Sequence, residues 1–223
     1  MKRFMMALFV LLAAPVVAEP VKVEPPAKTI GVVLFPSFET LDVYGPVQML
    51  GRLPDYRVVF VAQKAGPVRS SQGVEALASY SFEDAPQLDI LLVPGGMGAR
   101  SEVHNEALLD FLRKQDKGTE LTTSVCTGAA LLAKAGLLDG HRATTNKRSF
   151  DWVKSQGEKV DWVGRARWVT DGKYVTSSGV SAGTDMALAL VERLYGREKA
   201  VETARSAEYQ WNDDPDNDPF AVE

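Results

Sequence analysis

The sequence is poor in the side chains on which many catalytic and metal centres depend: among 223 residues it has one cysteine, Cys126, and two histidines, His104 and His141. A single cysteine excludes an intramolecular disulfide. Two histidines leave a zinc site without its usual ligands, and we expect neither a metal nor an organic cofactor. We interpret His141, in a Gly-His-Arg turn, as a surface residue, and His104 as a loop or helix-start residue.

The sequence also lacks strong net charge and any apolar run long enough to cross a membrane. The net charge is −4 and no basic block stands out, so we expect no nucleic-acid partner. The one long apolar run, near the N-terminus, is shorter than the ~20 residues that cross a bilayer, and no second run follows it. We therefore expect no membrane association of the mature chain.

The N-terminal segment has the pattern of a secretory signal peptide. Lys2 and Arg3 precede an apolar run, and small residues lead up to Ala18. We predict a signal peptide over 1–18 and a proline-containing extended leader over 19–28, with an uncleaved anchor as the alternative. Export, most simply to a periplasm, follows. In an oxidising compartment a lone cysteine is either buried and inert or kept for chemistry.

The remainder predicts one α/β domain over 29–210 and an irregular tail over 211–223. Apolar runs predict buried strands at the ranges 29–35, 56–62, 88–94 and 121–125, with helical segments between them and hairpins near 66–78 and 166–178. Later helices are predicted over 147–157, 181–195 and 198–210. Alternating strands and helices predict a three-layer sandwich around a mainly parallel sheet. Functional sites of such sheets lie at the carboxyl ends of the strands.

Cys126 lies where a predicted strand passes directly into a predicted helix. This arrangement is typical of a nucleophile elbow, here with cysteine as the nucleophile. The helix N-terminus is expected to lower the pKa of the thiol. Asp42 and the pair Gly95 and Gly96 also follow predicted strands, so we expect them near the cysteine. A buried structural cysteine is the alternative reading.

Several motifs occur together along the chain. They are Leu41-Asp42-Val43-Tyr44-Gly45-Pro46, Val93-Pro94-Gly95-Gly96, Ser124-Val125-Cys126-Thr127-Gly128, Leu137-Leu138-Asp139-Gly140 with Ala143-Thr144-Thr145, and Ser178-Gly179-Val180-Ser181-Ala182-Gly183-Thr184-Asp185. In these motifs the chain resembles the ThiJ/PfpI superfamily, and within it the isonitrile hydratase branch. The resemblance implies a flavodoxin-like fold, a homodimer and a functional elbow cysteine.

The resemblance also implies site residues. The hydratase pattern has an acidic residue in the first loop, which matches Asp42, and the elbow cysteine with the following threonine, which match Cys126 and Thr127. Much of the superfamily has a histidine where this chain has Asn146. A peptidase, deglycase or glyoxalase would need that histidine as a base, so its replacement counts against those activities.

The chemistry suggested by these residues is hydration of a small isonitrile. Cys126 would attack the terminal carbon, and Asp42, with a raised pKa, would transfer the protons. The backbone N–H groups of Gly96 and Thr127 are candidates for an oxyanion hole. Other candidate pocket residues are Gly95, Asn146, Phe38 and Tyr44. Structural readings stay open: Asp42 as a helix cap, the glycines as turn residues and Thr127 as a helix start.

Two other function classes remain. In a non-enzymatic stress or redox protein, Cys126 would be oxidised stepwise by peroxide. A ligand-sensing domain of a helix-turn-helix regulator is the second class. We consider it disfavoured because the chain has an export-type N-terminus and no basic C-terminal extension.

Overall fold

The computed structural model describes residues 28–222. The predicted signal peptide and nearly all of the predicted leader lie outside these residues. The strands are β1 Lys28–Val33, β2 Tyr56–Ala62, β3 Gly66–Arg69, β4 Glu75–Ala78, β5 Tyr80–Ser81, β6 Ile90–Val93, β7 Leu121–Val125, β8 Arg142–Ala143, β9 Asp161–Trp162, β10 Trp168–Asp171 and β11 Tyr174–Ser177. The helices are α1 Thr40–Leu50, α2 Ala99–Glu102, α3 Glu106–Asp116, α4 Gly128–Lys134, α5 Phe150–Lys154, α6 Ala182–Tyr195 and α7 Arg197–Ser206, and a 3₁₀ turn spans Lys147–Ser149.

The central sheet has seven strands in the order β10-β11-β7-β6-β1-β2-β5. Every neighbouring pair is parallel except β10 and β11, which form the antiparallel hairpin that the Asp-Gly turn predicts. All residues of β6 and β7 are buried, as expected for interior strands covered on both faces. The predicted α/β sandwich with a mainly parallel sheet is confirmed.

Helices flank this sheet in two groups. Helix α6 packs against α1 and α7, whereas α4 packs against α2, α3 and α5. Strands β3 and β4 form a separate antiparallel hairpin, as the sequence predicts for this region. None of the helices within residues 28–222 is long and apolar enough to span a membrane.

Two predicted helices are shorter than expected. The segment predicted over 147–157 is a 3₁₀ turn followed by α5, which ends at Lys154. The last helix ends at Ser206 rather than Gln210 because Glu208 adopts a left-handed conformation with φ of 50°. This break turns the Tyr209 hydroxyl back toward Asp185, which accepts its hydrogen bond at 3.0 Å.

The C-terminal tail has no helix or strand, yet its backbone and side chains are anchored to the domain. The Pro215 carbonyl accepts a hydrogen bond from the Arg167 N–H at 2.6 Å. The Val222 N–H donates to the Gly164 carbonyl at 3.2 Å. Asp218 is buried, with its carboxylate 3.8 Å from the Lys147 ammonium. The tail therefore forms part of the domain surface at a defined position.

Candidate active site

The strand register brings three loops to one place. Strands β1, β6 and β7 are adjacent, and Ile30 pairs with Ile90, which pairs with Leu121. Their carboxyl ends are therefore level at one edge of the sheet. The chain leaves β1 toward β2 on one side, while β6 and β7 lie on the other side, so a crevice opens between β1 and β6. Asp42, Gly95 and Cys126 follow these three strands.

Cys126 has the strained backbone of a nucleophile elbow. Its φ is +57°, a left-handed conformation that costs a side-chain-bearing residue roughly 1–3 kcal/mol. Three hydrogen bonds hold it: its N–H lies 3.2 Å from the Ser177 carbonyl and 3.1 Å from the Ser178 carbonyl. The Thr145 hydroxyl donates to the Cys126 carbonyl at 2.7 Å. The surrounding fold thus imposes the bend that points the thiol into the crevice edge.

Asp42 is fully buried in the first turn of α1. The Gly95 N–H donates to Oδ2 at 2.8 Å. The other carboxyl oxygen, Oδ1, is buried and has no hydrogen-bond partner within the described protein. A helix cap would bond its own helix, and no such side-chain bond is present at the start of α1. The carboxyl instead joins the loop after β6 and faces Cys126.

Burial changes the protonation of both groups. Loss of solvation raises the pKa of Asp42 from its usual 3.8 to about 8, and the Gly95 hydrogen bond offsets only part of the increase. Loss of solvation is also the main reason that the pKa of the Cys126 thiol is raised, and the neighbouring Asp42 carboxylate adds to the increase. Hydrogen bonding from Thr127 opposes it only in part. Near neutral pH the pair therefore retains its protons.

This result overturns one expectation about Cys126. The helix N-terminus was expected to favour the thiolate, but the thiol is only 5% exposed and faces an acidic group. In so buried a position the cost of desolvating a thiolate exceeds the benefit of the helix N-terminus. The expected raised pKa of Asp42 agrees with the structure.

Thr127 and the two glycines link the loop after β6 to the elbow. The Gly96 N–H donates to the Thr127 hydroxyl at 3.0 Å, so the resting structure already uses this candidate oxyanion donor. A Cβ on Gly95 would lie 2.5 Å from the Thr127 nitrogen and 3.0 Å from Asp42 Oδ2. Gly96 has a φ of +130°, and a Cβ there would overlap the backbone of Ser37 and Glu39. These glycines permit the close approach of the loop to Asp42 and Thr127.

The other predicted pocket residues, Asn146, Phe38 and Tyr44, differ in their surroundings. Asn146 borders a cleft of about 580 Å³ beside the elbow, where its side-chain oxygen caps the 3₁₀ turn by accepting from the Ser149 N–H at 3.1 Å. Phe38 is fully buried in the core, and Tyr44 packs edge-on against Phe60 with ring centroids 6.1 Å apart. Neither of these two aromatic residues borders that cleft.

Both histidines lie in other parts of the described structure. His141 contacts the Asp171 carboxylate at 3.2 Å, and His104 is exposed in the turn before α3. Residues 28–222 contain no group of three or more acidic, histidine or cysteine side chains suited to a metal ion. The titratable group beside Cys126 is therefore Asp42, and neither histidine forms a pair with the cysteine.

Sequence reasoning missed three contributors to the site. Thr145 and the carbonyls of Ser177 and Ser178 hold the elbow backbone. The Thr-Thr and Ser-Ser pairs are visible in the sequence, but their partners are distant along the chain. The third contributor is the tail, whose residues Phe220 and Val222 border the cleft. Its low helix and strand propensity gave no sign of this position.

Comparisons with known proteins show which sequences this chain is similar to. The sequence profile described as "DJ-1/PfpI family" matches residues 28–193. The isonitrile hydratase of Pseudomonas putida is 40% identical over 184 residues, which cover 82% of this chain and 78% of that protein.

Two solved structures share the architecture. The crystal structure of a ThiJ/PfpI family protein from Pseudomonas syringae superimposes with a TM-score of 0.77 at 29% identity, over 93% of this chain and 84% of the other. Drosophila melanogaster DJ-1beta superimposes with a TM-score of 0.72 at 26% identity, over 83% of this chain and 100% of the other.

Proposed function

This chain belongs to the DJ-1/PfpI family, and we propose that it is a cysteine-dependent hydratase that adds water to a small isonitrile and releases an N-substituted formamide. The observation that carries the proposal is the buried pair of Asp42 and Cys126 at the carboxyl edge of the sheet. Such a pair supplies a nucleophile and a protonated acid together, which is what an isonitrile carbon requires. The 40% identity to an isonitrile hydratase supports the same activity.

In the first step the Cys126 sulfur bonds to the terminal carbon of the isonitrile. That carbon takes up a proton from the Asp42 carboxyl, and the thiol proton passes to the carboxylate. The product is a thioimidate, in which the former isonitrile carbon carries hydrogen, sulfur and a double bond to nitrogen. Because the pKa of Asp42 is raised to about 8, the carboxyl is protonated when this step needs an acid.

In the second step water adds to the thioimidate carbon. Asp42 accepts a proton from the water and returns one to the nitrogen, which leaves a tetrahedral carbon bearing hydroxyl and sulfur. The carbon–sulfur bond then breaks, the hydroxyl becomes the formamide carbonyl, and its proton returns to the sulfur. The sum is one isonitrile and one water converted into one formamide, with both side chains restored.

Thr127 positions this chemistry in the proposal. Its hydroxyl bonds the Gly96 backbone, and its N–H faces the Cys126 sulfur. Asp42 Oδ1, which has no hydrogen-bond partner among residues 28–222, is the oxygen that receives the attacking water in this proposal. No metal or organic cofactor takes part in these steps.

The test incubates the purified protein with methyl isocyanide and measures N-methylformamide by proton NMR. We expect turnover by the wild type, a loss of at least about 10³-fold in Cys126→Ala, and a loss of roughly 10²–10⁴-fold in Asp42→Asn, the range for positioned acid–base catalysis. Asp151→Asn, at an exposed carboxyl, is the matched control and should retain activity. Mass spectrometry of the quenched enzyme should show an adduct of one intact isonitrile on Cys126.

The competing redox function predicts a different outcome in the same samples. If wild type and Cys126→Ala both form no formamide, while peroxide adds two oxygens to Cys126, the hydratase proposal is wrong and the redox reading is correct. The proposal also includes export to the periplasm, which the pattern of residues 1–18 supports, and a homodimer, which family resemblance supports. Cell fractionation and size-exclusion chromatography test these two points.

A further inference from the structure

We propose that the cleft beside the elbow holds the apolar substituent on the isonitrile nitrogen, and that Phe220 of the C-terminal tail determines which substituents are accepted. This inference rests on the proposed hydratase function and names the part of the substrate that the reacting groups do not touch. The proposed subsite for the substituent is formed by Leu41 on α1, Val180 after β11, and Phe220 and Val222 of the tail.

The cleft has the size of a small-molecule site, and its lining combines apolar side chains with polar ones that include Lys147 and Arg148. Its volume of about 580 Å³ lies within the range of ~300–1,000 Å³ that is common for such sites. Four apolar side chains border it, namely Leu41, Val180, Phe220 and Val222. Phe220 is 68% exposed and Leu41 is 45% exposed, so two large apolar groups face the opening and gain contact when an apolar group enters.

Three residues of the lining lie next to Asp42 or to the backbone partners of Cys126. Leu41 precedes Asp42 in the first turn of α1. The Ser178 carbonyl accepts a hydrogen bond from the Cys126 N–H at 3.1 Å. Asn146 follows Thr145, whose hydroxyl bonds the Cys126 carbonyl. The cleft therefore adjoins the backbone that holds the elbow, and in this proposal the substituent of a ligand on Cys126 reaches into it.

Substrate geometry requires such a space. An isonitrile is linear through its carbon, its nitrogen and the first atom of the substituent. When the terminal carbon is at the sulfur, the substituent points away from it along that line. Cys126 is only 5% exposed, so a bulky substituent needs space away from the sulfur. The adjacent cleft is where that substituent finds room.

The tail holds Phe220 at a defined position. On one side Asp218 is buried, with Lys147 at 3.8 Å, and its carboxylate accepts from the Phe220 N–H at 3.0 Å. On the other side the Val222 N–H bonds the Gly164 carbonyl at 3.2 Å. Because both flanking residues are tied to the domain, the Phe220 ring forms a wall of the cleft rather than the end of a free segment.

The experiment compares kcat/KM for benzyl isocyanide and methyl isocyanide in the full chain. We expect the benzyl-to-methyl ratio to fall about fivefold to tenfold in Phe220→Ala, as expected when part of an apolar contact is lost. Phe220→Leu, which keeps an apolar side chain, should recover much of the ratio. Leu77→Ala is the matched control: Leu77 is 66% exposed on the separate β3–β4 hairpin, and its removal should leave the ratio unchanged.

The outcomes separate the two proposals. If the wild type hydrates methyl isocyanide but the benzyl-to-methyl ratio is the same in Phe220→Ala as in Leu77→Ala, this inference is wrong and the hydratase function stands. If the wild type hydrates neither compound, the hydratase function fails first, and the inference fails with it. A crystal structure of Cys126→Ala with N-benzylformamide should show the benzyl ring against Phe220, and a ring seated elsewhere would overturn the assignment.

Discussion

Replacement of Asp42 by asparagine should stabilise the protein while lowering its hydratase activity roughly 10²–10⁴-fold. The carboxyl is fully buried, and one of its oxygens has no partner in the described protein. Asparagine has nearly the same shape and can still accept the hydrogen bond from the Gly95 N–H. Unlike aspartate, it carries no charge that must be desolvated or neutralised on folding. The substitution therefore removes the free-energy cost of burying the Asp42 carboxyl, and it also removes the proton transfer by that carboxyl.

The size of the effect follows from the shift in pKa. Asp42 releases its proton near pH 3.8 when unfolded but near pH 8 when folded. Between these values the folded state binds the extra proton, so this group lowers stability as the pH rises. At pH 7 the interval covers about three pH units, which corresponds to roughly 4 kcal/mol. At pH 5 it covers about one unit, or roughly 1–2 kcal/mol. Above about pH 8 the effect levels off.

Urea unfolding of wild type and Asp42→Asn at a series of pH values from 5 to 8 measures this difference. We expect the variant's advantage in free energy of unfolding to grow with pH, and even half the calculated increase is easily resolved. Asp151→Asn, at an exposed carboxyl, should show no comparable trend. An Asp42→Asn difference that stays constant across this pH range would refute the assignment of a buried, proton-retaining carboxyl.

Two further predictions concern packing around the site. Gly95→Ala places a Cβ 2.5 Å from the Thr127 nitrogen, and we expect it to lower the free energy of unfolding by about 2–3 kcal/mol in thermal unfolding. The control Gly172→Ala meets no atom within 4 Å but has a φ of +60°, so it should cost only about 1 kcal/mol. Equal losses in the two variants would contradict the steric argument. Lys147→Met leaves the Asp218 carboxylate buried without its cation and should cost roughly 3 kcal/mol in urea unfolding. The double variant Lys147→Met with Asp218→Leu should recover most of that loss. A double variant less stable than Lys147→Met would contradict the pairing.

The fold was predictable because its signals are local. Continuous apolar runs identify β6 and β7 as interior strands, and the Asp-Gly turn identifies the β10–β11 hairpin. The predicted end of the last helix was less accurate, because a single residue ends that helix. Glu208 ends α7 through a left-handed backbone conformation that glutamate does not signal.

The proximity of the candidate site residues was predictable, but their protonation was not. Parallel topology places loops after β1, β6 and β7 at one edge, so proximity of Asp42, Gly95 and Cys126 follows from the order of the elements. The protonation of the pair does not follow from the order. The sequence around Cys126 suggests a helix N-terminus that favours thiolate, and only the depth of burial beside Asp42 reverses that expectation.

Local sequence determines the strands and the elbow that carries Cys126, because each depends on residues adjacent along the chain. Long-range packing determines the raised pKa of Asp42 and the position of Phe220 beside the cleft. Both depend on segments that are remote along the chain: Asp42 is desolvated in a crevice closed by the loops after β6 and β7, and the tail is held by Lys147 and Gly164. Desolvation and tail anchoring are sums over many such contacts, and they exist only once the chain has folded.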